Sequence, residues 1–166
     1  MPGTLVQLNV SPGGIPKTPV LFAHVSRDGL AGDWQKNRKY HGGPDRAVCL
    51  FSEELYAELR DEAGIELIHG AVGENFTTCG IDLNGLSKGD RLRVGDSCII
   101  EITNVRVPCS TLKKWDARLP KLIEGRSGWV AKVIAEGTVR PGDAIEVLRE
   151  VPKKRRSDTK VKAGTT

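Results

Sequence analysis

Residues 89–107 read GDRLRVGDSCIIEITNVRV. Two runs rich in apolar and β-branched residues, Arg91–Val94 and Cys98–Val107, flank the pair Gly95-Asp96. Such side chains favour a pleated, half-buried strand, while glycine supplies the positive φ of a tight turn and aspartate caps its own backbone. The stretch therefore predicts an antiparallel hairpin. Outward from it the same punctuation recurs, with Gly-Asp pairs at 32–33, 89–90 and 142–143 as well as 95–96. Further strand-like runs lie at Thr4–Val10, Val20–Val25, Ala47–Phe51 and Ala144–Leu148. Nineteen glycines in 166 residues exceed the ordinary share of about 7%, so the chain turns often. Short strands joined by glycine turns predict a mostly β domain, a barrel or sandwich, rather than a parallel α/β sheet.

Two segments read as helices. Ser52–Ala63 opens on a serine N-cap, places Glu53 and Glu54 in its first turn, sets Leu55 and Leu59 on one face and ends at Gly64, each a recognised start or stop signal. The second is predicted over 110–119, capped by Ser110 or Thr111, with Leu112, Trp115 and Leu119 along one side and Pro120 as its stop. Gly128–Glu136 fits either period.

Composition narrows the functional classes. Hydrophobic residues make up 39% and charged residues 28% of the chain, ordinary values for one domain with its own core. No run approaches the roughly 18–20 apolar residues that cross a bilayer, and the start, MPGTLVQLNVSPGG, has no basic segment followed by an apolar one. The expected location is cytoplasmic, with no membrane role. The net charge of +4 belongs to the end of the chain: residues 152–166 carry six Lys/Arg against one Asp, a net of +5. The rest then holds 19 basic and 20 acidic residues, a net of −1. The expected division is a folded domain over 1–151 and a basic, disordered tail over 152–166. Contact with nucleic acid is expected, if anywhere, only through that tail.

Four cysteines stand at 49, 79, 98 and 109, with no C-x-x-C pair and no zinc-finger spacing. Cys49 and Cys98 lie in apolar runs and read as small buried hydrophobes. Cys79 precedes a glycine in a turn. Cys109 differs: it follows Pro108, precedes the predicted helix start at Ser110, and lies three residues after Arg106. A helix N-terminus and a neighbouring guanidinium both favour the thiolate, the form that attacks electrophiles or binds a soft metal. The plain alternative is an inert loop cysteine.

Three glycine-containing loops add polar groups. His41-Gly42-Gly43-Pro44-Asp45-Arg46 offers backbone N–H groups for an anion and an imidazole able to act as an acid. Gly73-Glu74-Asn75-Phe76-Thr77-Thr78 gathers carboxylate, amide and hydroxyl groups, and Ser11-Pro12-Gly13-Gly14-Ile15-Pro16-Lys17 ends in a lysine suited to phosphate. Taken singly, each reads first as a turn that satisfies its own backbone.

Their order carries more than each alone. The series NVSPGGIPK, GLAGDWQ, HGGPDRAVCLF, VGENFTT, LSKGDRLRVGD, VRVPC, GWVAKVIAEG and GDAIEVL resembles the MOSC domain family, named for the C-terminal domain of molybdenum cofactor sulfurases. The likeness runs from about residue 4 to 149 and is nearest to stand-alone bacterial members. It implies a MOSC-type β-barrel with a few short helices. It also implies a molybdenum cofactor (molybdopterin), with Cys109 as the protein ligand of the metal. By position, Ser11, Lys17, His41, Gly42, Gly43, Asn75, Thr77 and Arg106 would line the cofactor pocket, and Cys109 and His41 would serve catalysis. The implied activity is reduction of N-hydroxylated bases and amidoxime-like compounds by oxygen-atom transfer. The alternative is a non-catalytic carrier of the cofactor, or of sulfur as a persulfide on Cys109. The chain has no pyridoxal-phosphate domain, so that cofactor is not expected. It has no iron–sulfur or flavin module, so electrons would come from a separate reductase.

Overall fold

The computed structural model describes residues 2–34 and 43–149. The predicted hairpin forms: Arg91–Val94 pairs antiparallel with Cys98–Val105, Val94 opposite Cys98 and Leu92 opposite Ile100. Arg91 and Arg93 face solvent while Leu92 and Val94 are buried, the period-2 alternation of a strand with one face on a core.

In chain order the strands are β1 (Gly3–Val10), β2 (Thr18–Pro19), β3 (Ala23–Ser26), β4 (Gly29–Leu30), β5 (Val48–Ser52), β6 (Phe76–Cys79), β7 (Arg91–Val94), β8 (Cys98–Val105), β9 (Trp129–Ala135), β10 (Gly137–Val139) and β11 (Ala144–Leu148). Seven of them close a ring in the order β1-β11-β7-β8-β9-β5-β6, with β6 returning to β1 and β2 extending that edge. Closure leaves no unpaired edge within the ring. β3, β4 and β10 form a separate small sheet. The fold is thus the expected mostly β barrel.

One ring contact is parallel: β5 runs beside β6 with Leu50 opposite Phe76. Parallel neighbours need a long crossover. Here it contains α1 (Glu53–Ala63), the first predicted helix. Ser52 accepts a hydrogen bond from the Leu55 N–H at 3.1 Å, and Gly64 closes the helix in the left-handed region at φ 68°. Its buried residues, Leu55, Tyr56 and Leu59, pack with Phe51, Leu112, Leu119 and Ile123 in a second apolar cluster outside the barrel. The barrel interior holds Leu5, Leu8, Leu50, Phe76, Leu92, Ile100, Ile102 and Ile145, each at most 1% exposed. Full burial of such a side chain contributes about 1.5–3 kcal/mol.

The predicted helix over 110–119 is corrected. The chain makes a 3-10 turn over Ser110–Lys114 and then a short helix, α2 (Leu119–Leu122). Pro120 explains the division. Inside a continuous helix its ring would meet the carbonyl four residues earlier, whereas in a first turn its missing N–H costs nothing. The apolar spacing was read correctly, since Leu112 and Leu119 are buried. The expected run Val20–Val25 is also shifted: the strand begins at Ala23, and Leu21 and Phe22 are 86% and 62% exposed. Gly128–Glu136 resolves as strand β9. His41, Gly42 and the tail over 152–166 lie outside the described residues.

Candidate functional site

Three segments converge beside the barrel. The loop 11–17 meets the turn 70–73: Lys17 N–H donates to the Gly70 carbonyl at 2.9 Å. The segment after Cys109 joins them. Lys114 Nζ donates to the Ile15 carbonyl at 2.6 Å, and Trp115 Nε1 donates to the Ala71 carbonyl at 2.9 Å. Arg106 enters from the end of β8. Its Nη2 donates to the Val72 carbonyl, and its own backbone is pinned to the segment before β9 through Gly128 and Ser127. Gly73, at φ 89°, makes the approach possible: a Cβ there would lie 3.0 Å from Ile15 Cγ2 and 3.4 Å from Arg106 Nη2.

Beneath this convergence lies a layer of fully or almost fully buried polar side chains. Lys17 Nζ pairs with Asp33 Oδ1 at 2.6 Å, their side chains 8% and 5% exposed. The same oxygen accepts the Ser11 N–H at 3.0 Å, and Asp33 Oδ2 accepts from Asn75 Nδ2 at 3.0 Å. Asn75 also accepts the Cys49 N–H and donates to the Asn9 carbonyl. Thr77 Oγ1 donates to Glu74 Oε2 at 2.9 Å and accepts from Asn9 Nδ2 at 3.1 Å. Ser11 Oγ accepts from Gly13 N–H and donates to the Gly14 carbonyl within its own loop. Ser11, Lys17, Asn75 and Thr77 are therefore brought together, with these polar groups bonded to the protein itself. Gly43 precedes the 3-10 turn Pro44–Arg46 and is exposed; the structure gives it no contact with this layer.

The four thiols separate by environment. Burial pushes Cys49 up, and pushes Cys98 up to about 12. The carboxylates of Glu54 and Glu53, with burial, push Cys79 up to about 11. Cys109 alone is lowered. The hydroxyl and backbone N–H of Thr111 lower it most, and Arg106 and Ser110 add to the effect against partial burial. The thiolate preference expected from a helix end thus comes chiefly from the polar groups of one neighbouring residue. Arg106 carries a second feature: its Nη1 is buried with no hydrogen-bond partner, a state shared among the described residues only by Thr78 Oγ1. A buried guanidinium donor left unpaired is costly unless a ligand oxygen completes it.

No group of three or more His, Cys, Asp or Glu side chains gathers among the described residues as a cage for a metal. A metal on Cys109 would therefore need ligands from another source. An open cleft of about 760 Å³ is lined by Glu53, Tyr56, Arg60, Ile68, His69 and Cys79 among others, none of them a predicted site residue. The sequence reading did not single out Asp33, Tyr56 or Asn9. Asp33 looked like a turn residue of its Gly-Asp pair. The signal that would have found it is Lys17, which cannot be buried without an acid.

A closed seven-stranded barrel with a lowered cysteine three residues after a half-buried arginine defines a class. The family model of the MOSC domain matches residues 37–146, and the chain belongs to that family. Its relatives include stand-alone members of that family. It is 34% identical to the uncharacterized protein YflK of Bacillus subtilis over 140 residues, 81% of this chain and 63% of that one. It is likewise 34% identical to YiiM of Escherichia coli over 131 residues, 74% and 58% of the two chains. The chain thus spans about three fifths of the length of these relatives. A protein of Gibberella moniliformis named as a reductase is 34% identical over 136 residues, which are only 24% of its length. Among solved structures, YiiM of Geobacillus stearothermophilus superposes with TM-score 0.72 at 26% identity, over 89% of this chain and 76% of that one. No helix among the described residues is long and apolar enough to cross a membrane.

Proposed function

We propose that this protein binds a molybdenum cofactor through Cys109 and reduces N-hydroxylated bases or amidoxime-like compounds. The observation that carries the reading is one lowered, half-buried thiol beside an arginine whose buried Nη1 has no partner. A thiolate suits a soft metal site, and an unpaired arginine donor suits an anionic group such as a phosphate. The donor set therefore fits the cofactor, whose dithiolene would supply the metal ligands that the protein lacks. Membership of the MOSC family and likeness to a protein named as a reductase support the same reading.

In this site Cys109 would hold the metal and Arg106 an anionic part of the cofactor. The Lys17–Asp33 pair, Ser11, Asn75 and Thr77 would keep the loops beneath it in register. When bound, the cofactor supplies oxygen-atom transfer, and the protein supplies the ligand, orientation and electrostatics. His41, with Gly42 and Gly43, is proposed to complete the pocket and to offer a proton to the departing oxygen. The electron donor is proposed to be a separate reductase. The test is metal analysis and turnover of a hydroxylaminopurine, with an electron donor, on protein made in cofactor-producing cells. Stoichiometric molybdenum with turnover is the expected result. Molybdenum without turnover would favour the carrier reading, and absence of molybdenum would overturn both molybdenum readings.

A further inference from the structure

The buried layer contains one acid that the proposed function leaves without a role. Glu74 is wholly buried and makes no direct ion pair among the described residues. Its surroundings nevertheless dictate its hydrogen bonding. The Val72 N–H, which can only donate, points at Tyr56 Oη at 3.3 Å, and Tyr56 Oη contacts Glu74 Oε1 at 2.8 Å. On the other side Asn9 Nδ2 donates to Thr77 Oγ1 at 3.1 Å, and Thr77 Oγ1 contacts Glu74 Oε2 at 2.9 Å. The orientation of Asn9 is set in turn, because its Nδ2 also faces the Glu74 carbonyl and its Oδ1 accepts from Gln7.

A hydroxyl has one proton to give. Each of these two hydroxyls already accepts from an amide, so each spends its proton on Glu74. Both carboxyl oxygens receive a donor, and the network accommodates an acceptor-only carboxylate. Burial pushes this carboxyl up, against the pull of Tyr56, its own backbone N–H, Arg106 and Thr77. The nearby positive charge is that of Arg106, whose Nη2 is held by the carbonyl of Val72, the residue whose N–H is bound by Tyr56.

We propose that Glu74 is the positioning residue for Arg106: through Tyr56 it anchors Val72, whose carbonyl holds Nη2, and so leaves Nη1 fixed as the donor for an anionic ligand. The chain of contacts runs from Glu74 to Tyr56, Val72 and Arg106. The inference rests on the reading that Arg106 holds an anionic group of the cofactor, but its primary test needs no cofactor.

The test uses the full chain without cofactor, labelled with ¹⁵N-arginine. Restricted rotation of the Arg106 guanidinium gives resolved Nη–H signals, and free rotation averages them. The wild type and Thr77→Ser, which keeps the hydroxyl, are expected to give resolved signals. Tyr56→Phe, which keeps Glu74 but cuts the anchor, is expected to average them, and so is Glu74→Gln, whose amide must turn an NH₂ toward a hydroxyl that already accepts from an amide and loses its own acceptor. Molybdenum affinity of Tyr56→Phe and Glu74→Gln should fall about tenfold, the lower end for an outer partner of a metal site. Resolved Arg106 signals in Tyr56→Phe would overturn the proposal, even if the melting temperature falls, because Glu74 would then serve stability alone. A wild type that never binds molybdenum overturns the cofactor reading instead and leaves the signal test intact.

Discussion

The barrel interior and the polar layer beside it are equally dry, and they share strands. On β1, Leu8 enters the interior and Asn9 the polar layer, and on β6 Phe76 and Thr77 divide in the same way. All four side chains are 0% exposed. They differ in how burial is satisfied. Hydrocarbon asks only for volume and contact, so many substitutions of similar size fit. The polar layer asks for a partner at each atom, and those partners have fixed directions, from Asn9 through Thr77 to Glu74 and from Lys17 to Asp33. The difference teaches that glycine-rich loops are held by directed polar bonds on one side while a few apolar residues, Ala71, Val72 and Ile15, tie them to the second cluster on the other.

The largest expected effect separates the two regions completely. Cys109→Ala should abolish molybdenum retention and leave the melting temperature unchanged, because the thiol lies outside both apolar clusters. Cys98→Ala should do the reverse, keeping the metal while losing about 1–3 kcal/mol of packing in the barrel. Metal content and thermal unfolding of the two variants, purified side by side, check this. Full metal in Cys109→Ala would break the assignment of the ligand.

Next in size are the two ways of damaging a buried position. Asp33→Asn leaves the Lys17 ammonium buried without its countercharge, and should cost about 3–5 kcal/mol. Leu50→Ala opens a cavity in the barrel, and should cost about 2–5 kcal/mol. The stability losses overlap, so the metal distinguishes them: Asp33→Asn should also loosen the loop 11–17 and lower molybdenum retention, and Leu50→Ala should not. Urea unfolding together with metal analysis reads both. Equal retention in the two variants would mean that the polar layer does not support the site.

A smaller effect is expected at Gly73. Alanine there must adopt φ near 89° and place its methyl 3.0 Å from Ile15 and 3.4 Å from Arg106 Nη2. The strain is about 1–3 kcal/mol. Because the methyl meets Arg106 itself, Gly73→Ala should weaken molybdenum retention more than its stability loss implies. Gly89→Ala is the control: φ is similarly positive, at 95°, but nothing lies within 4 Å of the new methyl.

The two regions were also unequally legible in the sequence. The interior announces itself locally: apolar and β-branched runs between glycine turns gave the β7–β8 hairpin, β1 and β11, and the Ser52 cap with Gly64 bounded α1. The parallel pairing of β5 and β6 was not visible, because strand neighbours are chosen by long-range closure rather than by any local period. Pro120 was misread because the same residue that ends one helix can begin another. Of the site, Cys109 and Arg106 stood out through their spacing, and the resemblance named Ser11, Lys17, Asn75 and Thr77. That these four bond chiefly to protein groups beneath the loops could not be read from residue types. It depends on contacts such as Asn75 with Asp33, 42 positions apart. Glu74 was quoted within its motif, yet its donors come from positions 56 and 77 and their polarity from positions 72 and 9.

The smallest effect should come from a charge cluster that resembles the polar layer in composition but not in burial. Glu101 on β8 accepts from Arg91 and meets Lys132, both at 3.1 Å, and the partners' side chains are 51% and 40% exposed. The hydrogen bonds from Lys132 and Arg91 hold its carboxyl below the usual glutamate range. The sign follows from that lowering. The folded state favours the ionised form, so the contribution is complete above the unfolded glutamate range and is lost as pH falls through the lowered folded value. Water and salt screen such exposed partners, and the contribution is expected to be under about 1 kcal/mol. Glu101→Gln should therefore lower stability slightly at pH 7, match the wild type once the pH is acid enough to protonate Glu101, and leave molybdenum retention unchanged. Urea midpoints measured across that range check it. A loss as large as that of Asp33→Asn would show that charge alone, without burial, decides how strictly this fold holds its polar groups.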